Sequence, residues 1–376
     1  MKVNFTAQER EHYRRHFNLP EVGEEGQKRL KQARVLYIGA GGLGSAALPY
    51  LVAAGVGVIG IVDDDHVEIS NLQRQVLYSY QAVGQKKVEA AAARLQELNP
   101  AVQIVMHDMR LSRANALALI SQYDVVADGS DNFATRYLVN DACFHLKKPY
   151  VYASISQFAG QCAVFAAEHS ACLRCLFPAP PPATLLPNCA EGGVMGVLPG
   201  ILGSIQAMEV MKLILGIGKP LVNRLLQLDA LTMAFRELTV TPDPACILCC
   251  EQQAFTTLPY HDDNVCGNDS MNLSNTTEIS VAVFEIWRQQ GHDFILLDVR
   301  EQSEYLAGNL GGVLIPLGEL PMRLSELDKA KQIVVHCQHG FRSQQAMVLL
   351  HQHGFQQVCH LQGGFSAWMN YHAVTQ

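Results

Sequence analysis

The sequence predicts an α/β protein: a doubly wound, Rossmann-like parallel sheet in a larger N-terminal domain, followed by a smaller α/β domain. Three observations predict it. Strand-length apolar runs alternate with helix-length runs through the first half of the chain, the order that builds parallel βαβ units. The first strand runs into "GAGGLG" (39–44), a glycine turn that opens a helix. A polar stretch rich in Asn, Asp, Ser and Thr at 251–277 then separates this pattern from a second set of buried-strand runs. At 376 residues the chain is too long for one core. The expected division is a domain over 1–250, a linker over 251–277 and a second domain over 278–376.

The elements follow in order. "ARVLYIGAGGLGSAALPYLVAAG" reads as strand, glycine turn and helix, and "VGVIGIVDDD" as a second strand ending in acids. "QKKVEAAAARLQELNP" is a helix stopped by Pro100. "VQIVMHD" and "YDVVADGSDN" read as further short strands. "PAPPPATLLP" (178–187) suits neither a helix nor a central strand, so it is a loop, and it delivers Cys189. Beyond the linker, "FILLDVR" and "QIVVHCQ" are buried strands, and "RSQQAMVLLHQHG" is an amphipathic helix closed by Gly354.

Residues 45–62 run eighteen positions without a charge, long enough for a membrane span. Pro49, Gly55, Gly57 and Gly60 interrupt the run, and β-branched residues crowd its second half. A buried helix, a tight turn and a buried parallel strand fit better. The start of the chain lacks the apolar stretch of a secretory signal, so a cytoplasmic protein without a membrane segment is expected. A net charge of −7 without a polybasic run argues against nucleic acid as main partner. Eleven cysteines in such a chain point to reduced thiols committed to metal or catalysis rather than to disulfides.

Gly39, Gly41 and Gly44 allow a close backbone approach to a phosphate at a helix N-terminus. Asp63 ends the next strand, where a carboxylate can accept from ribose hydroxyls. Those two features alone also fit a nicotinamide-dependent oxidoreductase with a thiol regulatory domain. "SNLQRQ" (70–75) and "GQKKVE" (84–89) add Asn71, Arg74 and Lys87, and Asp131 and Asn132 follow a later strand. Two cations, an amide and a carboxylate at one sheet edge suit a triphosphate with Mg2+ better than a nicotinamide, because departing pyrophosphate needs its charge neutralised.

Cys172 and Cys175 form "CLRC", and Cys246 and Cys249 form "CILC". Two such hooks supply four thiolates, enough for a closed, structural Zn2+ that ties remote segments together. Cys250 is a neighbouring spare thiol. Cys337 follows a buried strand, and Arg342 and Ser343 open the next helix. A thiolate in that cup receives backbone N–H groups and the positive end of the helix dipole, which lowers its pKa and suits a persulfide anion. Four residues separate Cys337 from Arg342. Phosphatase loops that encircle a tetrahedral phosphate are one residue longer, so the tighter cup favours sulfur.

"GAGGLGS", "NLQRQ", "VGQKKVE", "SDN", "CAEGGVMG" and "GSIQAMEVMK" resemble the MoeB/ThiF (HesA/MoeB/ThiF) family, over about residues 8–250. "LLDVREQSEYLAGNLGGVLIPLGEL" and "LQGGFSAW" resemble a rhodanese domain, over roughly 278–374. The first resemblance implies ATP-dependent adenylation of the C-terminal Gly-Gly carboxylate of a ubiquitin-like sulfur carrier of MoaD or ThiS type. It implies Gly41 and Gly42 against the nucleotide and Asp63 on the ribose. Asn71, Arg74 and Lys87 would bind phosphates and Asp131 would position Mg2+, with Ser70 and Asn132 in the same nucleotide-binding set. Arg15, or its neighbour Arg14, matches an arginine given to the adjacent subunit's site, implying a homodimer. The cysteine of the Cys189 loop can link covalently to the activated carrier in that family. The second resemblance implies a sulfurtransferase whose Cys337 carries sulfane sulfur from thiosulfate or a cysteine desulfurase; the alternative is a rhodanese domain that only binds. Molybdopterin and thiamin biosynthesis are both compatible destinations.

Overall fold

The computed structural model describes residues 4–165, 170–178, 193–249, 278–338 and 340–374. They fall into two compact units, one within Met1–Asn268 and one within Asp269–Gln376. Cys189, Cys250 and the stretch 251–277 lie outside the described residues.

The first unit is built on an eight-stranded sheet. Strands β1 (Arg34–Ile38), β2 (Val58–Val62), β3 (Gln103–His107), β4 (Val125–Asp128) and β5 (Tyr150–Ser156) pair in parallel in the order β3-β2-β1-β4-β5. Strands β6 (Ala159–Phe165), β7 (Arg224–Asp229) and β8 (Ala234–Thr239) extend the β5 edge, each antiparallel to its neighbour. Sequence periodicity gives the parallel half; it does not foresee the antiparallel extension. Alternate residues of β1 enter two different cores: Val35 and Tyr37 on one face, Leu36 and Ile38 on the other. Burial on both faces explains why these strands read as continuous apolar runs.

The uncharged run at 45–62 resolves into the helix Gly42–Ala53, a turn and β2, as its glycines and proline predict. A longer apolar helix, Val197–Leu215, packs against Gly42–Ala53. It is the one described helix long and apolar enough to cross a membrane. Two of its polar side chains, however, are spent inside the first unit. Gln206 is fully buried, donates to the carbonyls of Asp128 (2.9 Å) and Val151 (3.0 Å), and accepts from the Tyr37 hydroxyl. Glu209 accepts from the Leu221 N–H at 2.8 Å. Gly203 permits the helix contact: a Cβ there would stand 2.5 Å from the Leu43 carbonyl oxygen.

The second unit is a five-stranded parallel sheet comprising β9 (Glu278–Ile279), β10 (Phe294–Asp298), β11 (Val313–Leu314), β12 (Gln332–His336) and β13 (Val358–Leu361). Their order is β11-β10-β12-β13-β9. Val335 and Val334 on adjacent positions of β12 point into separate cores, so this small sheet is also covered on both faces. The helix Phe341–Gln352 follows β12, with the short cysteine loop between them.

Candidate active sites

β1 pairs with β2 on one side and with β4 on the other, so the strand order reverses at the carboxyl end of β1. Ligands bind doubly wound sheets at such switch points. A cavity of about 440 Å³ lies there, within the range of small-ligand sites. The glycine turn contributes Gly41 and Gly42 to its wall, and the end of β2 contributes Asp63. Asn71, Arg74 and Lys87 line it from the segments after β2, and Asp131 and Asn132 from the turn after β4. The polar groups that the sequence spreads over 92 positions, Gly41 to Asn132, thus meet around one space.

Local hydrogen bonds hold each in place. Asp63 accepts from the Ala40 N–H at 2.7 Å and from the Asp65 N–H at 2.9 Å, tying the glycine turn to the end of β2. Burial pushes the Asp63 carboxyl above the usual carboxylate range, while Lys87 opposes that shift. Lys87 is buried at the start of the helix Lys87–Leu98 and pairs with Asp65 at 2.7 Å. Arg74 donates to the Ser70 carbonyl at 3.0 Å. Asn132 caps the helix Phe133–Leu146, its side chain accepting from the Thr135 N–H at 2.8 Å. Asp131 beside it is exposed.

One residue expected in the nucleotide-binding set stands apart from the wall. Ser70 sits in the turn Ile69–Asn71, where its hydroxyl bonds Glu68 at 3.0 Å and only its carbonyl meets Arg74. Arg15 and Arg14 are exposed on the short helix Arg14–Phe17, and neither lines this chain's cavity. Sequence reading missed two buried polar residues of the wall. Gln75 is buried beside Gly41, and its Oε1 has no hydrogen-bond partner among the described residues. Arg136 is buried one turn beyond Asn132 and donates to the Ser130 carbonyl at 2.9 Å. Gln75 ends the motif "SNLQRQ", so its position was in view; its inward orientation was not.

The four cysteines converge. Sγ–Sγ separations are 3.9 Å for Cys172–Cys175, 3.6 Å for Cys172–Cys246 and 3.2 Å for Cys175–Cys249, and all four sulfurs lie within 4.8 Å of one another. Tetrahedral zinc with Zn–S of about 2.3 Å spaces its sulfurs about 3.8 Å apart, so this donor set fits the ion. Arg174, between the first pair, is anchored to Asp141 by bonds of 2.9 and 2.7 Å and lies over the Tyr137 ring. The first hook is thereby fixed to the helix Phe133–Leu146.

In the second unit Cys337 is buried at the end of β12, and its sulfur accepts from the Gly340 N–H at 3.1 Å. Gly340 adopts φ +103°, which turns the loop into the helix and favours glycine. Ser343, fully buried, donates to the Gly340 carbonyl at 2.7 Å. The helix Gly364–Val374 closes the loop from the other side: the N–H groups of Phe365 and Ser366 donate to the carbonyls of Cys337 (2.8 Å) and Gln338 (3.0 Å). Arg342 forms a two-pronged ion pair with Glu304, at 2.6 and 2.7 Å. Beneath the loop, Arg300 is buried against Asp298 and donates to Gln338 Oε1 at 3.1 Å, while Gln338 Nε2 donates to Ser366 at 3.0 Å. His336 is fully buried near Asp298, and burial pushes its pKa down to about 4 despite that carboxylate.

A nucleotide-sized cavity at the switch point of a doubly wound sheet, joined to an α/β unit with a buried loop cysteine, defines a two-unit α/β enzyme architecture. Residues 13–248 match the ThiF family and residues 285–371 the rhodanese-like domain, and the chain belongs to the ThiF family with a rhodanese-like domain after it. Membership implies ATP use. The probable adenylyltransferase/sulfurtransferase MoeZ of Mycobacterium tuberculosis is 42% identical over 365 residues, covering 95% of this chain and 92% of that protein. The sulfur carrier protein adenylyltransferase of Thermus thermophilus is 53% identical over 252 residues, 66% of this chain and 93% of that one. Adenylyltransferase and sulfurtransferase MOCS3 of Sus scrofa is 42% identical over 364 residues, 90% of this chain and 80% of that one. Among solved structures, E. coli MccB has a TM-score of 0.57 at 20% identity, covering 69% of this chain and 76% of that chain, a likeness of fold. ThiF membership sets aside the nicotinamide reading.

Proposed function

We propose that this enzyme adenylates the C-terminal Gly-Gly carboxylate of a ubiquitin-like sulfur carrier and then transfers sulfur to it from a Cys337 persulfide. The observation that carries this reading is the pairing, in one chain, of two sites. One is a cavity walled by Gly41, Asp63, Arg74, Lys87 and Asp131; the other is a cysteine loop whose sulfur accepts a backbone N–H. The names of the full-length relatives, adenylyltransferase and sulfurtransferase, support it.

In the first step Gly41 and Gly42 admit the nucleotide to the helix N-terminus and Asp63 holds the ribose. Arg74 and Lys87, with Asn71, neutralise phosphate charge as pyrophosphate leaves. Asp131 would hold Mg2+, which supplies further neutralisation of the departing pyrophosphate. Arg15 is proposed to reach the site of a second subunit in a homodimer, the role Arg14 would take if the register differs by one. The carrier carboxylate attacks the α-phosphorus, leaving an acyl-adenylate. In the second step the terminal sulfur of the Cys337 persulfide attacks the acyl carbon and AMP leaves. Splitting the transfer into activation and nucleophilic displacement lowers both barriers. Cys189, outside the described residues, is proposed to attack the Cys337 sulfur of the acyl disulfide that remains: a Cys189–Cys337 disulfide forms as the thiocarboxylate leaves, and a dithiol reductant then returns both cysteines to thiols. Cys172, Cys175, Cys246 and Cys249 would hold a structural Zn2+. A cytoplasmic setting suits thiols kept reduced.

Carrier-dependent exchange of labelled pyrophosphate into ATP tests the first step. Exchange with a MoaD- or ThiS-type carrier ending in Gly-Gly supports it; no exchange with any such carrier removes it.

A further inference from the structure

The glycine turn at the nucleotide cavity is held by a tyrosine that does not line the cavity. On one side the turn is pinned to the end of β2: the Gly39 N–H donates to the Val62 carbonyl at 2.8 Å, and the Ala40 N–H donates to Asp63 at 2.7 Å. On the other side the Tyr78 hydroxyl donates to the Ala40 carbonyl at 2.7 Å. Ala40 and Tyr78 are both buried, and Tyr78 is not part of the cavity wall. Burial, with Asp63 and Asp65 nearby, pushes the Tyr78 phenol above its ordinary range, so it stays protonated and donates.

The carbonyl that Tyr78 holds belongs to the peptide joining Ala40 to Gly41. No peptide bond among the described residues is cis, and in a trans peptide the C=O and N–H point in opposite directions. With its carbonyl held in the interior, this peptide turns the Gly41 N–H the other way, to the side where Gly41 lines the cavity. Gly41 is also the N-cap of the helix Gly42–Ala53, its carbonyl accepting from the Ser45 N–H at 2.8 Å. Glycine has no side chain to cap that helix, so the first N–H groups stay open to an anion.

Tyr78 is also tied to the segment that carries Arg74. Its own N–H donates to the Gln75 carbonyl at 3.1 Å, and the N–H groups of Arg74 and Gln75 donate to the Asn71 carbonyl at 3.0 and 2.9 Å. The run from Asn71 to Tyr78 is thus a chain of turns, and the Tyr78 hydroxyl bonds it to the glycine turn.

We infer that Tyr78 is a positioning residue for phosphate: its hydroxyl orients the Ala40–Gly41 peptide so that the Gly41 N–H faces the phosphates of the nucleotide. This rests on the reading of the cavity as an ATP site. Without the hydroxyl the Ala40 carbonyl is left buried and unpaired, a cost that the peptide relieves by rotating, and the Gly41 N–H then leaves its place.

The test uses the full chain, wild type and Tyr78→Phe, in pyrophosphate exchange with saturating carrier. Phenylalanine keeps the ring in the core and removes one hydrogen bond. KM for ATP should rise about fivefold, the worth of one hydrogen bond, with kcat within about twofold of wild type. Adenosine, which brings no phosphate, is the second probe: its Ki as a competitor of ATP should stay unchanged. An unmoved KM overturns the inference. So does a Ki that rises in step with KM, the result expected of a purely structural tyrosine. Hydrogen exchange on the wild-type chain decides the matter without a variant or a carrier. ATP with Mg2+ should slow exchange of the Gly41 amide by about tenfold or more. ATP that binds without slowing it overturns the inference, whereas ATP that does not bind at all removes the nucleotide reading and the inference with it.

Discussion

Cys172 and Cys246 are 74 positions apart in sequence, yet their sulfurs lie 3.6 Å apart in the buried corner of the first unit. A contact of that kind between thiols joins two remote segments only if something holds them, and a tetrahedral ion is the natural candidate. Purified protein should therefore contain one zinc per chain by metal analysis. Cys246→Ser should lose the metal and lower Tm by about 5–10 °C, the shift expected for a loss of roughly 2–3 kcal/mol in a unit of this size.

Gln206 makes a second structural prediction. It places three hydrogen bonds in the core, to Asp128, Val151 and Tyr37. Gln206→Leu leaves those groups unsatisfied, and should destabilise the first unit by about 2–4 kcal/mol in urea unfolding. A membrane-spanning role for the helix Val197–Leu215 would predict no such loss.

The cavity wall predicts a graded effect on adenylation. Lys87→Ala removes a buried cation, and should reduce pyrophosphate exchange about 100-fold with little change in Tm. Asp63→Asn should impair ATP binding, seen as a raised KM for ATP, because its carboxylate both faces the cavity and anchors the Ala40 N–H.

His336 predicts a pH dependence of stability. Its pKa is about 4 in the folded protein, against an ordinary value of 6.5. Burial comes first among the causes, with Asp298 opposing it. Between those values the unfolded chain takes up a proton that the native protein does not. Stability is therefore retained above pH 6.5 and lost as pH falls toward 4, by up to about 3 kcal/mol from this group. His336→Leu should flatten that part of the stability profile, measured by denaturant unfolding across the interval.

Much of this was legible in the chain. The glycine turn, the acid closing β2 and the cations after it stand in sequence order along elements whose periodicity is plain, so their meeting at one sheet edge follows from βαβ topology. The two cysteine hooks announce their chemistry by spacing. What stayed hidden depends on orientation across long separations. Glu304 and Arg342 are 38 positions apart, and nothing in either segment says that they touch. Arg300 lies in the run "DVREQSEY", but its reach to Gln338 depends on how β10 and β12 align. The antiparallel strands β6 to β8 escaped because no strict alternation marks them, β8 being almost wholly exposed. Gln75 was missed because a polar residue in a loop gives no sign that it points inward.

The most direct measurement of the central claim is the mass of a Gly-Gly sulfur carrier after incubation with ATP, a persulfide donor and either wild-type enzyme or Cys337→Ala. Both proteins should catalyse carrier-dependent pyrophosphate exchange, and only the wild type should replace one carboxylate oxygen of the carrier with sulfur. Thiocarboxylate formed equally well by Cys337→Ala would contradict that claim.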